Sequence, residues 1–289
     1  MIETSFAPDR AVIRRIGRWA GGAALAASLA FIGERLWSLD WTSLQIQPSW
    51  AFAGALAGAP LLFAAADALL RRGWAATADP DRTCPHNELS RIYARGVLMK
   101  YLPGSVFQYA SRQINGARAG LAHRRLAKAS ATEIALHVVS SLFIAAVCLA
   151  FERAGVIALA AATIVVIAAM TIRRPLTVAV AFQILAFGLF AAAAILIGAA
   201  TLPAGASLTH FAAIFLLAWL AGFVAPVAPG GIGVREAALL ALAGGTLPDA
   251  ALMAATLALR AASIVGDLGY GLGILLLRPT QQPPPPRSP

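Results

Sequence analysis

The chain is predicted to be all-α: a polytopic transmembrane helical bundle of about eight spans. Three observations point there. Of 289 residues, 59% are hydrophobic and 12% charged, with a mean hydropathy of +0.74; soluble domains carry about twice that share of charge. The apolar residues fall in runs, and about 20 of them in a helix cross a hydrocarbon core of about 30 Å. The basic residues gather in the loops between runs, as the positive-inside bias requires. Inside lipid a segment must satisfy its own backbone groups, so such runs are helical. The ten-residue alternation of a membrane β-barrel is not seen.

The first run, about Trp19 to Ile32, follows the basic stretch Arg10 to Arg18. It is read as an uncleaved span rather than a signal peptide, because the rest of the chain is also membrane-like. Further runs cover about Trp50–Leu70, Ala131–Ala150, Val156–Ile172, Leu176–Ala199 and Leu208–Ala225. A short run at about Arg235–Ala243 and a long one at about Ala250–Leu277 complete eight. Residues 1–278 are expected to form a single integral membrane domain. Residues 279–289 contain four consecutive prolines and are expected to be extended and disordered.

If each run crosses once, Arg14, Arg15 and Arg18, then Arg71 and Arg72, then Arg118, Arg124, Arg125 and Lys128, then Arg173 and Arg174 all fall on one side. Both termini are then cytoplasmic. A net charge of +10 is explained by these loops and suits anionic headgroups; no nucleic-acid motif supports the other use of basic charge. Cys84 and Cys148 are assigned to a cytosolic loop and a span, so no disulfide is expected.

Two segments interrupt the pattern, near 93–112 and 226–236. In the first, Arg91, Arg95, Lys100 and Arg112 are interleaved with Tyr93, Tyr101, Phe107 and Tyr109, and Pro103-Gly104 breaks any helix. It is either an interfacial helix with its aromatics at headgroup level or a re-entrant pair of half-helices around a cavity. In the second, Pro226, Pro229, Gly230, Gly231 and Gly233 precede Arg235 and Glu236. Unwound backbone at membrane depth must be buried in protein or line a watery cavity. The glycines lack a P-loop lysine and dinucleotide spacing, so a broken helix whose N–H groups face a phosphate is the better reading. Paired interruptions in the two halves point to a transporter's binding site, though no further repeat is readable.

Ionisable residues inside spans are costly and face a cavity or one another. Glu133 and His137 share a helical face, as do Arg260 and Asp267. Arg260 is expected to pair with Glu236, Glu133 or Asp267. Asp67 is expected to snorkel to the interface, and His137 and His210 to serve in packing. Gly54/Gly58 and Gly269/Gly273 have the spacing that lets helices approach closely. No nucleophile elbow or metalloprotease motif is present; a non-enzymatic role is favoured, an intramembrane transferase built from scattered Arg, Glu and His stays open, and no cofactor or metal is expected.

The stretch Lys100-Tyr-Leu-Pro-Gly-Ser-Val-Phe-Gln108 with Arg112 and Glu133, and above all Ala228-Pro-Gly-Gly-Ile-Gly-Val-Arg-Glu236 followed by Arg260, resembles the lysylphosphatidylglycerol synthase transmembrane-region family. That family includes the flippase part of the multiple peptide resistance factor. The resemblance spans about residues 15–277. It implies an integral protein of a bacterial-type inner membrane that moves polar lipids between leaflets. No soluble aminoacyl-transferase domain follows the tail, so lysyl transfer is not expected, and Ser105 stands where family members often carry a basic residue. On this reading Arg112, Arg235 and Arg260 engage an anionic phospholipid or glycolipid headgroup, with Glu133 and Glu236 orienting them. Pro229, Gly230, Gly231 and Gly233 supply unwound backbone, and Tyr101, Pro103, Gly104, Gln108 and Asp267 support the cavity. Membrane lipids are the expected partners, with envelope glycosyltransferases as candidate protein partners. The alternative is an intramembrane enzyme or accessory subunit acting on polyprenyl-phosphate or glycolipid in envelope synthesis.

Overall fold

The computed structural model describes residues 50–101, 106–225 and 231–277, together with the helical residues Ala30, Gly33, Glu34, Trp37 and Ser38. The described residues are all-helical. In chain order the helices are α1 (Trp50–Ala78), α2 (His86–Met99), α3 (Phe107–Arg118), α4 (His123–Ala154), α5 (Val156–Ile172), α6 (Pro175–Thr201), α7 (Leu208–Val224), α8 (Val234–Ala243) and α9 (Asp249–Leu276). Four of them, α1, α4, α6 and α9, are long and apolar enough to cross a membrane. Helices α5 and α7 are apolar but have 17 residues each, about 25 Å at 1.5 Å per residue. Helix α8, one of the eight expected crossings, has 10 residues and spans about 15 Å, half the hydrocarbon thickness. The expected first span and the proline tail lie outside the described residues.

Local chemistry sets the joints. After α1 the Asp79 carboxylate accepts bonds from the Thr83 N–H at 2.9 Å, the Thr83 hydroxyl at 2.8 Å and the Cys84 N–H at 2.8 Å. Burial pushes its pKa up, but these donors and the Arg125 charge outweigh it and hold the carboxyl below the ordinary range. Arg173 adopts a left-handed φ of 54° that ends α5, and Pro175 then opens α6 at its first turn, where a missing N–H costs nothing. Ser207 caps α7 by accepting the His210 N–H.

The packing divides the chain into two equivalent units, α1–α4 and α6–α9. Helices α1 and α6 pack along each other more extensively than any other pair. They run antiparallel, since Gly58 meets Leu196 while Gly73 meets Ala179. Around them α9 lies on α1 as α4 lies on α6, and α2 lies on α9 as α7 lies on α4. Each unit contains a short-helix hairpin, α2/α3 and α7/α8, whose second arm touches the long helix that follows. Because α1 opposes α6, one unit is inverted relative to the other. The hairpins α2/α3 and α7/α8 accordingly occupy matching places in the two units. Helix α5 stands outside, with Ala169 its one buried residue.

Small residues make the central contact close. Helix α1 buries Ala55, Ala59, Phe63, Ala66 and Leu70, a 3–4 residue stripe, against Ala186, Phe187, Phe190, Ala193 and Ile197 of α6. Close backbone approach replaces the hydrophobic drive that lipid does not provide. Of the expected glycine pairs Gly58 contributes, an added Cβ standing 3.0 Å from the Leu196 side chain, whereas Gly54, Gly269 and Gly273 have no described atom within 4 Å of one. Gly266 does, because its Cβ would stand 2.6 Å from the Pro60 carbonyl oxygen and 2.8 Å from the Phe63 Cβ. Gly266→Ala is expected to destabilise the α1/α9 contact by about 1–3 kcal/mol, the usual cost of overpacking. Thermal unfolding in detergent checks this, with Gly269→Ala as the near-neutral comparison.

Candidate functional site

The two hairpins and helices α1, α4, α6 and α9 enclose a cavity of about 820 Å³. Its walls include Phe63, Leu70, Val97, Phe190, Phe215, Trp219 and Leu259, and it is also lined by Lys100, Arg112, Arg235 and Arg260 and by Asp67, Glu133, Glu236 and Asp267. At its mouth are Val106, Ile134, Val224 and Ile264, apolar side chains that line it yet stand exposed. Charged side chains thus face an interior with largely apolar walls, and the exposed lining is apolar too.

Three ion pairs tie the hairpins to the long helices. On α3, Arg112 pairs with Glu133 of α4, both almost wholly buried. The Tyr93 hydroxyl donates to the other Glu133 oxygen at 2.8 Å, and the Arg112 guanidinium lies 3.8 Å over the Tyr93 ring, so charge, hydrogen bond and cation–π contact converge. On α8, Glu236 is fully buried and pairs with Arg260 of α9. Its second oxygen accepts the Gly233 N–H at 2.7 Å, which places a carboxylate on the first turn of α8, where the helix dipole favours it. At the end of α2, the Lys100 ammonium lies 2.6 Å from the Asp267 carboxylate, which also accepts from the Tyr101 hydroxyl.

Arg235 differs from the other three cations. Among the described residues it makes no ion pair or hydrogen bond, and its Nε is buried without a partner. Its guanidinium lies 5.4 Å from the Trp219 ring centre. The turn is shaped around its stem. A Cβ on Gly222 would meet the Arg235 Cγ at 2.3 Å, and a Cβ on Gly231, at φ +70°, would stand 2.9 Å from the Gly222 Cα and from the Arg235 Nε. Only glycine at both positions lets the chain reverse this tightly beside an arginine. Asp67 is likewise incomplete: 4% exposed, it lines the same cavity as Asp267, with its Oδ2 unpartnered among the described residues.

Of the residues singled out in the sequence, Arg112, Glu133, Gly231, Arg235, Glu236, Arg260, Tyr101, Gln108 and Asp267 line the one cavity, and Gly233 turns the chain into α8 beside it. Pro103, Gly104, Pro229 and Gly230 lie outside the described residues. Arg260 takes Glu236 from its three candidate partners. Asp267, on the same face of α9, turns to Lys100 instead. One reading needs correction. Asp67 does not snorkel: it is buried in the cavity, where α9 packs over α1. Arg112 pairs with Glu133 and Arg260 with Glu236, and among the described residues Arg235 is the cavity cation without an ion pair. His137 packs as expected, stacked on Phe223 with its Nδ1 2.8 Å from the Glu133 carbonyl oxygen, and also lines the cavity. Gln183 was missed, although it is the sole polar residue other than threonine in α6; it is buried with its Nε2 3.2 Å from His137 Nδ1. Among the described residues no group of three His, Cys, Asp or Glu side chains could hold a metal ion.

No family model, curated protein or solved structure matches the chain.

Removing one partner of a buried ion pair strands the other, at about 3–5 kcal/mol. Glu133→Ala is therefore expected to lower stability by about that amount, whereas the double change Arg112→Met with Glu133→Leu recovers most of the loss. Arg235→Gln, which strands no carboxylate, is expected to leave the unfolding midpoint near wild type. Unfolding curves of the three variants in detergent check the order.

Proposed function

We propose that this chain is a membrane-embedded carrier that moves a lipid with an anionic, phosphate-bearing headgroup between leaflets of a bacterial-type inner membrane. The supporting observation is Arg235: a guanidinium that makes no ion pair or hydrogen bond among the described residues, inside a cavity whose exposed lining is apolar. An unpaired charge in a low-dielectric interior is costly, and a ligand phosphate would relieve it through two parallel hydrogen bonds. The rim of Val106, Ile134, Val224 and Ile264 favours a lipid over a soluble anion, since acyl chains can trail across it while the headgroup sits within.

The architecture suits movement between two sides. Inverted repeats with binding at their interface allow one unit to rock against the other around a fixed site. We place the α2/α3 hairpin on the cytoplasmic side, where the basic loops at Arg71, Arg72, Arg124, Arg125 and Lys128 lie, and the α7/α8 hairpin on the opposite side. A hairpin that enters and leaves on one side adds no crossing, so even parity and cytoplasmic termini survive the shortness of α8. The motif likeness to the lysylphosphatidylglycerol synthase transmembrane region points the same way. Nothing in the chain resembles a nucleotide site, so movement is independent of ATP hydrolysis in this reading.

The test is a leaflet assay in liposomes holding purified protein, with fluorescent phosphatidylglycerol, phosphatidylcholine and a polyprenyl-phosphate sugar compared. Wild type is expected to accelerate redistribution of an anionic lipid. Arg235→Gln should slow it about tenfold or more, the worth of a hydrogen bond to a charged group, with Arg235→Lys intermediate. Well-folded protein that moves no lipid would contradict the reading, and a chemically altered lipid would favour an intramembrane enzyme.

A further inference from the structure

We infer that Asp67 is the specificity-determining residue of the same cavity: its buried oxygen accepts a hydrogen bond from a donor, hydroxyl or ammonium, on the headgroup whose phosphate binds Arg235. The inference rests on the phosphate site proposed above. It adds that the headgroup is read at a second point, on the other unit of the fold.

The four acids that line the cavity are not alike. Both Glu133 oxygens are taken, one by the Tyr93 hydroxyl and one by Arg112. Both Glu236 oxygens are taken too, by the Gly233 N–H and by Arg260. Asp267 receives the Lys100 ammonium and the Tyr101 hydroxyl. Asp67 is 4% exposed, makes no ion pair among the described residues, and keeps a buried Oδ2 without a donor. Among the described residues no other carboxyl of the cavity has such an oxygen. Leaving a buried acceptor unmade is costly, and nearly all such atoms in folded proteins find a donor. The described side chains do not supply one, whereas a ligand in the cavity can.

Asp67 and Arg235 are complementary but held apart. A carboxylate accepts and a guanidinium donates, yet the two line one cavity without pairing with each other. Asp67 belongs to α1 in the first unit and Arg235 to α8 in the second. A ligand that satisfies both needs an acceptor at one end and a donor at the other. A phosphodiester headgroup with a hydroxyl or N–H a few bonds from its phosphorus has that polarity, and a phosphodiester without one does not. The cavity of about 820 Å³ falls among the volumes of small-molecule sites, about 300–1,000 Å³, so the headgroup can sit wholly inside. Held at both points it spans the two units, and its binding bears on how they sit against each other. Specificity follows, because a site built to bond a hydroxyl or amine rejects the analogue that lacks it.

The test is competition binding to purified full-length protein in detergent, with fluorescent phosphatidylglycerol displaced by four short-chain lipids. Phosphatidylglycerol and phosphatidylmethanol carry the same phosphodiester charge, but only the first has headgroup hydroxyls. Phosphatidylethanolamine and phosphatidylcholine are both zwitterionic, but only the first has N–H donors. Wild type should prefer the donor-bearing member of at least one pair about tenfold or more, the worth of a hydrogen bond to a charged group. The pair that shows the gap names the donor. Asp67→Leu should erase the gap while binding the donor-free lipids as wild type does. Its unfolding midpoint should not fall, since it removes a buried carboxyl that has no ion pair. Arg235→Gln should weaken all four lipids alike. Equal affinities within both pairs in wild type, or a gap that survives Asp67→Leu, would overturn the role of Asp67 and leave the phosphate site standing. A gap in binding without leaflet movement in liposomes would retain Asp67 and sink the carrier reading. No binding of fluorescent phosphatidylglycerol or of any competitor would overturn both.

Discussion

Everything in this structure depends on how an apolar helical bundle tolerates eight charged side chains around one cavity. Isolated charges at membrane depth cost several kcal/mol, so each must be neutralised, hydrogen-bonded or put to use. Arg112 with Glu133 and Glu236 with Arg260 meet the first condition, and each ties a broken hairpin to the long helix that follows it. The pairs do more than neutralise. They fix the depth at which each hairpin stops, because neither α3 nor α8 can slide along its partner without separating a buried guanidinium from its carboxylate. Fold and site are held by the same contacts.

The two units apply this device with the charges exchanged. In α1–α4 the arginine is on the returning arm of the hairpin and the carboxylate on the long helix. In α6–α9 the carboxylate is on the returning arm and the arginine on the long helix. The result is a cavity with complementary charge facing it from both ends. Arg235 falls outside this balanced scheme, which is why it, rather than the paired residues, carries the proposed function.

Much of this was legible in the residues. Runs of apolar residues of crossing length could only be helices, and the two Pro-Gly interruptions had to end helices where α2 and α7 end. An arginine flanked by apolar turns, as Arg260 is, required a buried carboxylate. Other features were not legible, for physical reasons. Asp67 near the end of an apolar run has the same local pattern whether it reaches the interface or is covered by another helix, and only packing against α9 decides. Glycine spacing identifies helices able to approach closely but not the turn at which they do, so Gly266 and not Gly269 makes the contact. The inverted repeat is hidden because charge exchange between the units preserves geometry while erasing residue identity. The depth of Arg235 was visible; that no described carboxylate forms an ion pair with it could be read only once those carboxylates were placed.

The central claim is that Arg235 marks the headgroup position inside the protein. A phosphatidylglycerol analogue with a photoreactive group on its headgroup, cross-linked in liposomes and mapped by mass spectrometry, tests it most directly. Adducts should concentrate on cavity residues near Trp219 and Arg235 and disappear in Arg235→Gln, with outer surfaces such as α5 labelled equally in both. Labelling confined to those outer surfaces in the wild type would contradict it.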